Sequence, residues 1–314
     1  MTSRHLVNPE LVPLLEMYPP LQLSDEALGS IRETLNSPTS NLPPPLMEAQ
    51  RRLAPGANGA ADVPLLVFDP PERKNRAAML QIHGGGMVMG TAAASTPANA
   101  ALATQLDVLV VAVDYRLAPE HPFPAPQTDC LAAYEWLIAN ARALGVDPGR
   151  IVVLGDSAGG GLAASLALMA RDLRRPAPRA QVLTYPMLDH RTGSEAQPGL
   201  PHTGEFIWTR ESNRYGWRAL RGGYACNDDR AGWFSPALAT DLSNLPSTFI
   251  ATGALDLFLE EDLEYARRLV SAGVPVESHV YPGAVHGFKM MPTAAISRQY
   301  DRDLKAALGK ALAL

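Results

Sequence analysis

Between residues 63 and 312, short apolar segments alternate with segments whose apolar residues recur at helical spacing. Three of the apolar segments, Ala78–His83, Leu109–Asp114 and Ile151–Gly155, consist largely of aliphatic residues. Such runs are typical of parallel strands buried on both faces, because a strand with one solvent-facing side alternates apolar and polar residues. Strands that alternate with helices form right-handed βαβ units. The sequence therefore predicts an α/β fold built on a mostly parallel sheet.

The remaining predicted strands and helices alternate in the same way. The other strand patterns are Pro64–Phe68, Val182–Tyr185, Thr248–Gly253 and Ser278–Tyr281, the last within a pattern that begins at Val276. The helical patterns are Ala98–Gln105, Thr128–Ala143, Gly160–Arg171, Leu259–Ala272 and Ala294–Leu312.

Two regions depart from this alternation. Residues 1–60 are rich in proline and contain two short helical patterns, Pro9–Met17 and Ser24–Asn36. Residues 189–225 contain no clear strand pattern but hold several aromatic residues, and a long insertion between sheet elements is usually functional. We predict that an N-terminal arm, residues 1–45, and this insertion together cover the ends of the strands.

The composition excludes several classes of protein. Hydrophobic residues make up 46% of the 314 residues and charged residues 19%, which is globular composition and excludes a disordered chain. The formal net charge is −5, and no long Lys/Arg run occurs, so we predict no nucleic-acid partner. The two cysteines, Cys130 and Cys226, exclude a disulfide scaffold, and neither has the C-x-x-C partner of a zinc ribbon.

The sequence also predicts no stable insertion into a membrane. Its most apolar window, Leu162–Ala170, is far shorter than the roughly 20 residues that a helix needs to span a bilayer. Prolines and acidic residues, among them Pro9, Glu10 and Pro13, interrupt the N-terminal region, which argues against a secretory signal. We therefore expect a cytoplasmic protein, in which two free thiols are ordinary.

Gly155-Asp156-Ser157-Ala158-Gly159 lies directly between a predicted strand and a predicted helix. In this context a G-x-S-x-G sequence forms a nucleophile elbow, a strained turn that exposes the serine hydroxyl. The N-terminus of the following helix favours negative charge that develops beside the serine. A glycine-rich turn around an ordinary serine is the alternative, but the strand–helix junction favours Ser157 as a nucleophile.

His83-Gly84-Gly85-Gly86 follows another apolar strand. Glycines, which lack Cβ atoms, can turn backbone N–H groups toward one point, and an ester carbonyl that becomes an oxyanion needs such donors. Ala158, the residue after the nucleophile, should supply a further N–H. A flexible loop or a phosphate-binding loop is the alternative, although neither G-K-[ST] nor G-x-G-x-x-G occurs here.

A base for Ser157 should be a histidine that follows it in the chain. His279 lies inside a predicted strand, whereas His286 lies in the loop after that strand. Loops at the C-terminal ends of strands carry the chemistry of open α/β sheets, which favours His286.

The acidic partner of the histidine should end the preceding strand. The pattern Thr248–Gly253 runs into Asp256, which would hold the imidazole in the correct tautomer. Glu260 and Asp262 are alternatives, but they fall in the first turn of the predicted helix that follows.

These stretches together resemble the hormone-sensitive-lipase family of α/β-hydrolases, the bacterial family IV esterases. The matching stretches are His83–Gly86, Asp114–Ala125, Gly155–Gly160 and Tyr281–Phe288. The resemblance spans about residues 60–314. It implies an eight-stranded, mostly parallel sheet flanked by helices, a helical cap, and hydrolysis of carboxylic esters. By position it also implies a set of site residues: Ser157, Asp256 and His286 as the catalytic triad, with Gly84, Gly85 and Ala158 as the oxyanion hole.

The triad candidates are far apart in the chain but must meet at one site. No domain boundary can therefore separate them, and we predict one catalytic domain formed by residues 46–188 and 226–314. Residues 1–45 and 189–225 are predicted to cap it.

We predict a serine carboxylesterase that acts on small-molecule esters with short or medium acyl chains, without a metal or another cofactor. The scattered histidines share no metal-binding spacing: His5, His121, His190 and His202. Four residues are candidates for the substrate pocket: Met87, Phe206, Trp208 and Leu257.

Several alternatives stay open at this point. Deacetylation, amide hydrolysis or acyl transfer would use the same three residues. A non-catalytic ligand receptor is disfavoured, because the complete set of triad residues is present. The last predicted strand, Val276–Tyr281, could form an exposed edge that pairs two copies in a homodimer.

Overall fold

The computed structural model describes residues 3–36 and 45–313. Within them, eight strands form one sheet in the order β1-β2-β4-β3-β5-β6-β7-β8. β1 and β2, and β2 and β4, pair antiparallel, whereas every other neighbouring pair is parallel. The strands are β1 (Gln50–Ala54), β2 (Val63–Phe68), β3 (Ala78–Ile82), β4 (Leu109–Val113), β5 (Ile151–Asp156), β6 (Ala180–Thr184), β7 (Ser247–Gly253) and β8 (Val276–Tyr281). The predicted α/β-hydrolase architecture, a mostly parallel eight-stranded sheet flanked by helices, is confirmed.

The helices of the described residues cover both faces of this sheet. They are α1 (Val12–Met17), α2 (Leu28–Asn36), α3 (Thr96–Leu106), α4 (Ala125–Asn140), α5 (Ala158–Asp172), α6 (Arg210–Arg221), α7 (Ala231–Phe234), α8 (Leu259–Ser271) and α9 (Ala295–Leu312). The seven helical patterns predicted from the sequence correspond to α1, α2, α3, α4, α5, α8 and α9, with ends that differ by a few residues.

The central strands divide the core into two hydrophobic clusters. In β4, Leu109, Val111 and Val113 join the cluster that contains residues of α4, α5 and α8, while Val110 and Ala112 join the cluster with α3 and α9. Successive side chains of a strand point to opposite faces, so an apolar strand must have helices on both sides. Every residue of β3 and β4 is buried, as the apolar runs predict.

The sequence did not predict β1, α6 or the four-residue α7. β1 has four exposed residues out of five, because it lies at the edge of the sheet and pairs only with β2. Its polar sequence therefore lacks the pattern of a buried strand. α6 lies inside the insertion and begins after Thr209, whose side chain accepts a hydrogen bond from the Ser212 N–H. The helix ends at Arg221, directly before Gly222.

The N-terminal segment lies against the insertion and the loops that follow the strands. Ser212 Oγ of α6 donates a hydrogen bond to Leu21 O at 3.1 Å. Arg32 of α2 donates to Val88 O and Ala118 O at 2.7 and 2.8 Å. Residues 1–2 and 37–44 of the predicted arm lie outside the described residues. The division into arm, insertion and catalytic domain stays a prediction.

No helix in the described part of the chain is both long and apolar enough to cross a bilayer.

Candidate active site

Ser157 occupies a sharp turn between β5 and α5. Its backbone has φ 56° and ψ −119°, a conformation that residues with a side chain rarely adopt. Glycines make this turn possible: a Cβ on Gly155 would lie 2.1 Å from Gly159 O, and one on Gly159 would lie 2.1 Å from Ile82 O. The strand–turn–helix geometry thus places the serine at the C-terminal edge of the parallel strands.

The structure brings the three predicted triad residues together. Ser157 Oγ lies 3.0 Å from His286 Nε2, and His286 Nδ1 lies 2.8 Å from Asp256 Oδ2. The other carboxylate oxygen, Asp256 Oδ1, accepts the Phe258 N–H at 3.0 Å. With Nδ1–H donating to the carboxylate, Nε2 is free to accept the serine proton. Asp256 is fully buried, and the other two side chains are nearly so.

Adjacent parallel strands explain why Asp256 and His286 meet. The aspartate follows β7 and the histidine follows β8, and the loops after both strands leave the same edge of the sheet. Leu255 N donates to Ala284 O at 2.9 Å, and Gly253 packs so closely that a Cβ there would lie 2.4 Å from the same oxygen. Backbone contact between the loops therefore sets the distance between the acid and the imidazole.

Aromatic rings enclose the imidazole of His286. Its centroid lies 4.7 Å from that of Tyr185, 5.3 Å from that of Phe258 and 6.3 Å from that of Trp208. These rings keep water away from the histidine, which strengthens its hydrogen bonds to the charged and polar partners.

The glycine loop lies beside the nucleophile. A Cβ on Gly84 would come within 2.9 Å of Asp156 O and 3.5 Å of Ser157 Cβ, so only a glycine brings the backbone this close. Gly85 has φ 118°, a conformation that favours glycine. Ala158 is the first residue of α5 and is fully buried. Gly84 and Ala158 thus lie next to Ser157, and Gly85 continues the glycine loop.

Two hydrogen bonds anchor the peptides of this loop. Tyr115 Oη donates to His83 O at 2.9 Å, and His83 Nδ1 lies 2.8 Å from Gly84 O. The C=O and N–H of a trans peptide point in opposite directions. Fixing these carbonyls therefore fixes the directions of the Gly84 and Gly85 N–H groups.

The His83 ring is itself held in place. It stacks on the ring of Tyr115 with centroids 4.2 Å apart and an interplanar angle of 12°. Burial lowers the pKa of His83, so the imidazole is neutral near pH 7 and Nδ1–H donates to Gly84 O. Tyr115, which lies in the stretch Asp114–Ala125, thus braces the glycine loop. Nothing in a single sequence indicates this contact between two loops.

Three of the four pocket candidates belong to the same hydrophobic cluster near the site. Met87, Trp208 and Leu257 are almost fully buried. Trp208 lies on the glycine loop, where a Cβ on Gly86 would be 2.2 Å from its ring, and its Nε1 donates to Asn213 Oδ1 at 3.2 Å. The indole is thereby held across one side of the site.

Phe206, the fourth pocket candidate, has a different environment. It is half-buried and packs against the other hydrophobic cluster, which contains Tyr185 and Phe288.

The alternative acidic residues do not bond to His286. Asp262 is fully buried, and neither of its oxygens has a hydrogen-bond partner among the described residues. Burial raises the pKa of Asp262 well above its usual value. His279 lies in β8, where its Nε2 is 3.0 Å from Glu277 Oε1. Within residues 3–36 and 45–313, no group of three or more His, Cys, Asp or Glu side chains is arranged to hold a metal ion.

Known proteins share both this sequence and this fold. A family model described as "alpha/beta hydrolase fold" matches residues 79–290. The carboxylesterase NlhH of Mycobacterium tuberculosis (strain H37Rv) is 35% identical over 310 residues, covering 92% of each chain. The ethyl acetate hydrolase of Pseudomonas putida is 35% identical over 233 residues, covering 73% of this chain and 72% of that one. The solved structure of a bacterial heroin esterase has a TM-score of 0.91 at 35% identity and covers 99% of both chains. The chain therefore belongs to the hormone-sensitive-lipase family of α/β-hydrolases.

Proposed function

We propose that the protein hydrolyses carboxylic esters with Ser157 as the nucleophile, His286 as general base and acid, and Asp256 as the residue that orients the imidazole. The single observation that carries the proposal is the hydrogen-bond chain from Ser157 through His286 to Asp256, with distances of 3.0 and 2.8 Å. A carboxylesterase and an ethyl acetate hydrolase among its relatives support carboxylic ester hydrolysis as the reaction.

Acylation begins when the Ser157 hydroxyl attacks the ester carbonyl carbon and passes its proton to His286 Nε2. The imidazolium that forms is stabilised by the buried carboxylate of Asp256 on its other nitrogen. His286 then gives the proton to the leaving alcohol, which departs and leaves the acyl group on Ser157.

The negative charge that develops on the carbonyl oxygen is held by backbone N–H groups. In this proposal the donors are the N–H groups of Gly84, Gly85 and Ala158, and the anchored peptides of the glycine loop need not reorganise during the reaction. Water then attacks the acyl-enzyme, with His286 as the base, and the free acid leaves.

Short or medium acyl chains fit this site best. The Trp208 indole lies on Gly86 and is held by Asn213, so bulky side chains close off the space next to the oxyanion loop. Met87 and Leu257 are also buried, which leaves little room for a long chain unless these side chains move.

The experiment is turnover of p-nitrophenyl acetate, butyrate and laurate by the wild type and by Ser157→Ala. The variant should lose activity by a factor on the order of 10³ or more. Ser165→Ala is the matched control: Ser165 is a buried serine of α5, the helix that follows Ser157, and its hydroxyl donates to Trp233 O rather than to the imidazole. Full activity of Ser157→Ala would refute the nucleophile, and a strong preference for laurate over butyrate would refute the chain-length assignment.

Product analysis separates the alternative reactions. Turnover of an amide, or transfer of the acyl group to an added alcohol in preference to water, would assign an amidase or an acyltransferase with the same residues. Labelling of Ser157 by a fluorophosphonate would exclude a non-catalytic receptor, because an inactive serine would not react.

We also propose a homodimer formed through β8, in a cytoplasmic protein. β8 pairs with β7 on one side, and no strand among the described residues covers its other edge. Val280 of this strand is 43% exposed. Light scattering should give twice the mass of one chain, and the mass of a monomer would refute the pairing. Cell fractionation tests the location.

A further inference from the structure

A second link joins the two loops that carry Ser157 and His286. Lys289 Nζ lies 2.5 Å from Asp156 Oδ2. Asp156 immediately precedes Ser157, and Lys289 lies in the turn that follows His286. The ion pair therefore bridges the same two segments as the hydrogen bond between Ser157 and His286, and the mechanism above does not use it.

Both ends of the link are fixed by backbone structure. Asp156 is the last residue of β5 and pairs with Thr184 of the neighbouring strand β6. Lys289 lies in the short 3-10 turn Phe288–Met290, and Ser297 Oγ donates to Phe288 O of that turn at 2.8 Å. An ion pair between two such ends restrains the distance between the loops.

The pair is partly withdrawn from water. The Lys289 side chain is 31% exposed and that of Asp156 is 26% exposed. Both line a groove of about 650 Å³ beside α3 and α9. Charges in such a position interact more strongly than a fully exposed pair.

Few other charges face these groups. Tyr185 and Tyr300 lie near Asp156, and burial raises the pKa of both phenols, so they are neutral. In the groove, Arg298 donates to Thr293 O, and Lys305 lies 2.6 Å from Asp301. The imidazole of His286 lies between the carboxylate of Asp256 and Ser157 Oγ, and the rings of three aromatic residues pack around it: Tyr185, Phe258 and Trp208.

We propose that the Asp156–Lys289 ion pair positions His286 for proton transfer: it holds the histidine loop against the nucleophile elbow and neutralises the charge of Asp156 beside the reacting pair. Neither residue touches the reacting atoms, so both are positioning residues. The inference rests on the roles proposed above for Ser157 and His286. A displacement of about 1 Å between reacting groups can lower a rate roughly 100-fold, so a restraint of this kind affects turnover.

Because both partners are charged, removing either one should shift the pH dependence of the reaction, which the loss of a purely structural contact would not do. Lys289→Met leaves the negative charge of Asp156 near the imidazole, which favours the imidazolium and moves the acidic limb of the kcat/KM–pH profile to higher pH. Asp156→Asn leaves the positive charge of Lys289 and moves the same limb to lower pH. We expect shifts of about half a pH unit in opposite directions.

The variants to measure are Lys289→Met, Asp156→Asn and the double variant, with Lys289→Arg as the conservative rescue. Each single variant should lower kcat about tenfold with little change in KM, because the loss is in the proton-transfer geometry. The double variant should be no worse than the poorer single variant, since both remove one interaction. Lys289→Arg should retain most of the activity.

Lys305→Met is the matched control. It breaks the Lys305–Asp301 pair in the same groove, which has a similar length and a Lys side chain of similar exposure. This variant should keep the wild-type kcat and pH profile. Melting curves establish that every variant is folded, and Asp156→Asn, which keeps the side-chain shape, tests the proposal even if Lys289→Met does not fold.

The inference would be overturned if both single variants kept the wild-type kcat and an unshifted acidic limb of the kcat/KM–pH profile. It would also be overturned if the losses of kcat in the two single variants added up in the double variant. Labelling by a fluorophosphonate separates this failure from failure of the proposed function. Ser157 must react in the wild type if the proposed function holds, whatever the ion-pair variants do. Slower labelling in Lys289→Met and Asp156→Asn, with a normal rate in Lys305→Met, supports the positioning role.

Discussion

Replacing Tyr115 with phenylalanine removes one hydroxyl group beneath the glycine loop, and we expect it to slow ester cleavage without weakening substrate binding. The hydroxyl donates to His83 O at 2.9 Å, while the ring stacks on the imidazole of His83. Phenylalanine keeps the stacked ring and removes only the hydrogen bond. The peptide between His83 and Gly84 then loses its anchor, and the Gly84 N–H is free to turn away from the oxyanion.

The magnitude follows from what each hydrogen bond does. A buried carbonyl left without its donor lowers the free energy of unfolding by about 1–3 kcal/mol. Removing one donor of an oxyanion hole lowers kcat roughly 10² to 10³-fold, which is the upper limit here. The Gly84 O–His83 Nδ1 bond remains, so the loop keeps one of its two anchors. We therefore expect a loss of about 10- to 100-fold in kcat.

The assay is steady-state hydrolysis of p-nitrophenyl butyrate, with a urea denaturation curve for each variant. KM should stay within about twofold, because the oxyanion forms only after substrate has bound. Tyr134→Phe is the control: Tyr134 is also fully buried, but its hydroxyl has no hydrogen-bond partner among the described residues. Wild-type kcat in Tyr115→Phe, with only a lower stability, would show that the hydroxyl does not orient the oxyanion hole.

Three further changes test other contacts. The pKa of Asp262 is raised in the folded state, so the wild type loses stability as pH rises above about 4, where the unfolded chain ionises this carboxyl. In urea titrations, the stability of Asp262→Asn relative to wild type should therefore increase from pH 4 to 8. A stability difference that stays constant over this range would contradict a neutral buried carboxyl. Arg32→Met removes two hydrogen bonds to backbone oxygens and the ion pair with Glu120, and should lower the free energy of unfolding by about 1–3 kcal/mol. The control is Arg218→Met, which removes an exposed ion pair with Asp25 and should change the free energy of unfolding by less than about 0.5 kcal/mol. Equal losses of stability in the two variants would refute the stabilising role of the Arg32 contacts. Trp208→Ala opens the space next to the glycine loop. The preference for laurate over butyrate, measured as the ratio of their kcat/KM values, should therefore rise. An unchanged ratio would mean that the acyl chain does not lie next to Trp208.

The sheet and the position of the serine could be predicted because short segments carry those signals. Buried parallel strands need continuous apolar runs, and the turn at Ser157 needs glycines on both sides, so residues next to each other in the chain reveal both. Asp256 and His286 could be named because the loops after neighbouring parallel strands leave the same edge of the sheet.

Other parts of the site leave no local pattern. The bond from Tyr115 to His83 O joins positions 32 residues apart, and the ion pair of Asp156 with Lys289 joins positions 133 apart. Such contacts depend on how loops face each other, which no hydrophobic periodicity records. β1 was missed because only one of its edges pairs with another strand, and its four exposed residues look like those of a loop.

The N-terminal contacts set an order of events during synthesis. Asn8 N donates to Gly283 O at 2.9 Å, and Glu10 accepts the N–H of Ala295 at the start of the last helix. The partners of each contact are more than 270 residues apart, so the ribosome makes the first long before the second. These two contacts therefore form only after almost the whole sheet has emerged, whereas the contacts of Arg32 with Val88 and Ala118 can form earlier. Ribosome-bound chains that stop before residue 283 should lack esterase activity, and their N-terminal residues should be open to proteases.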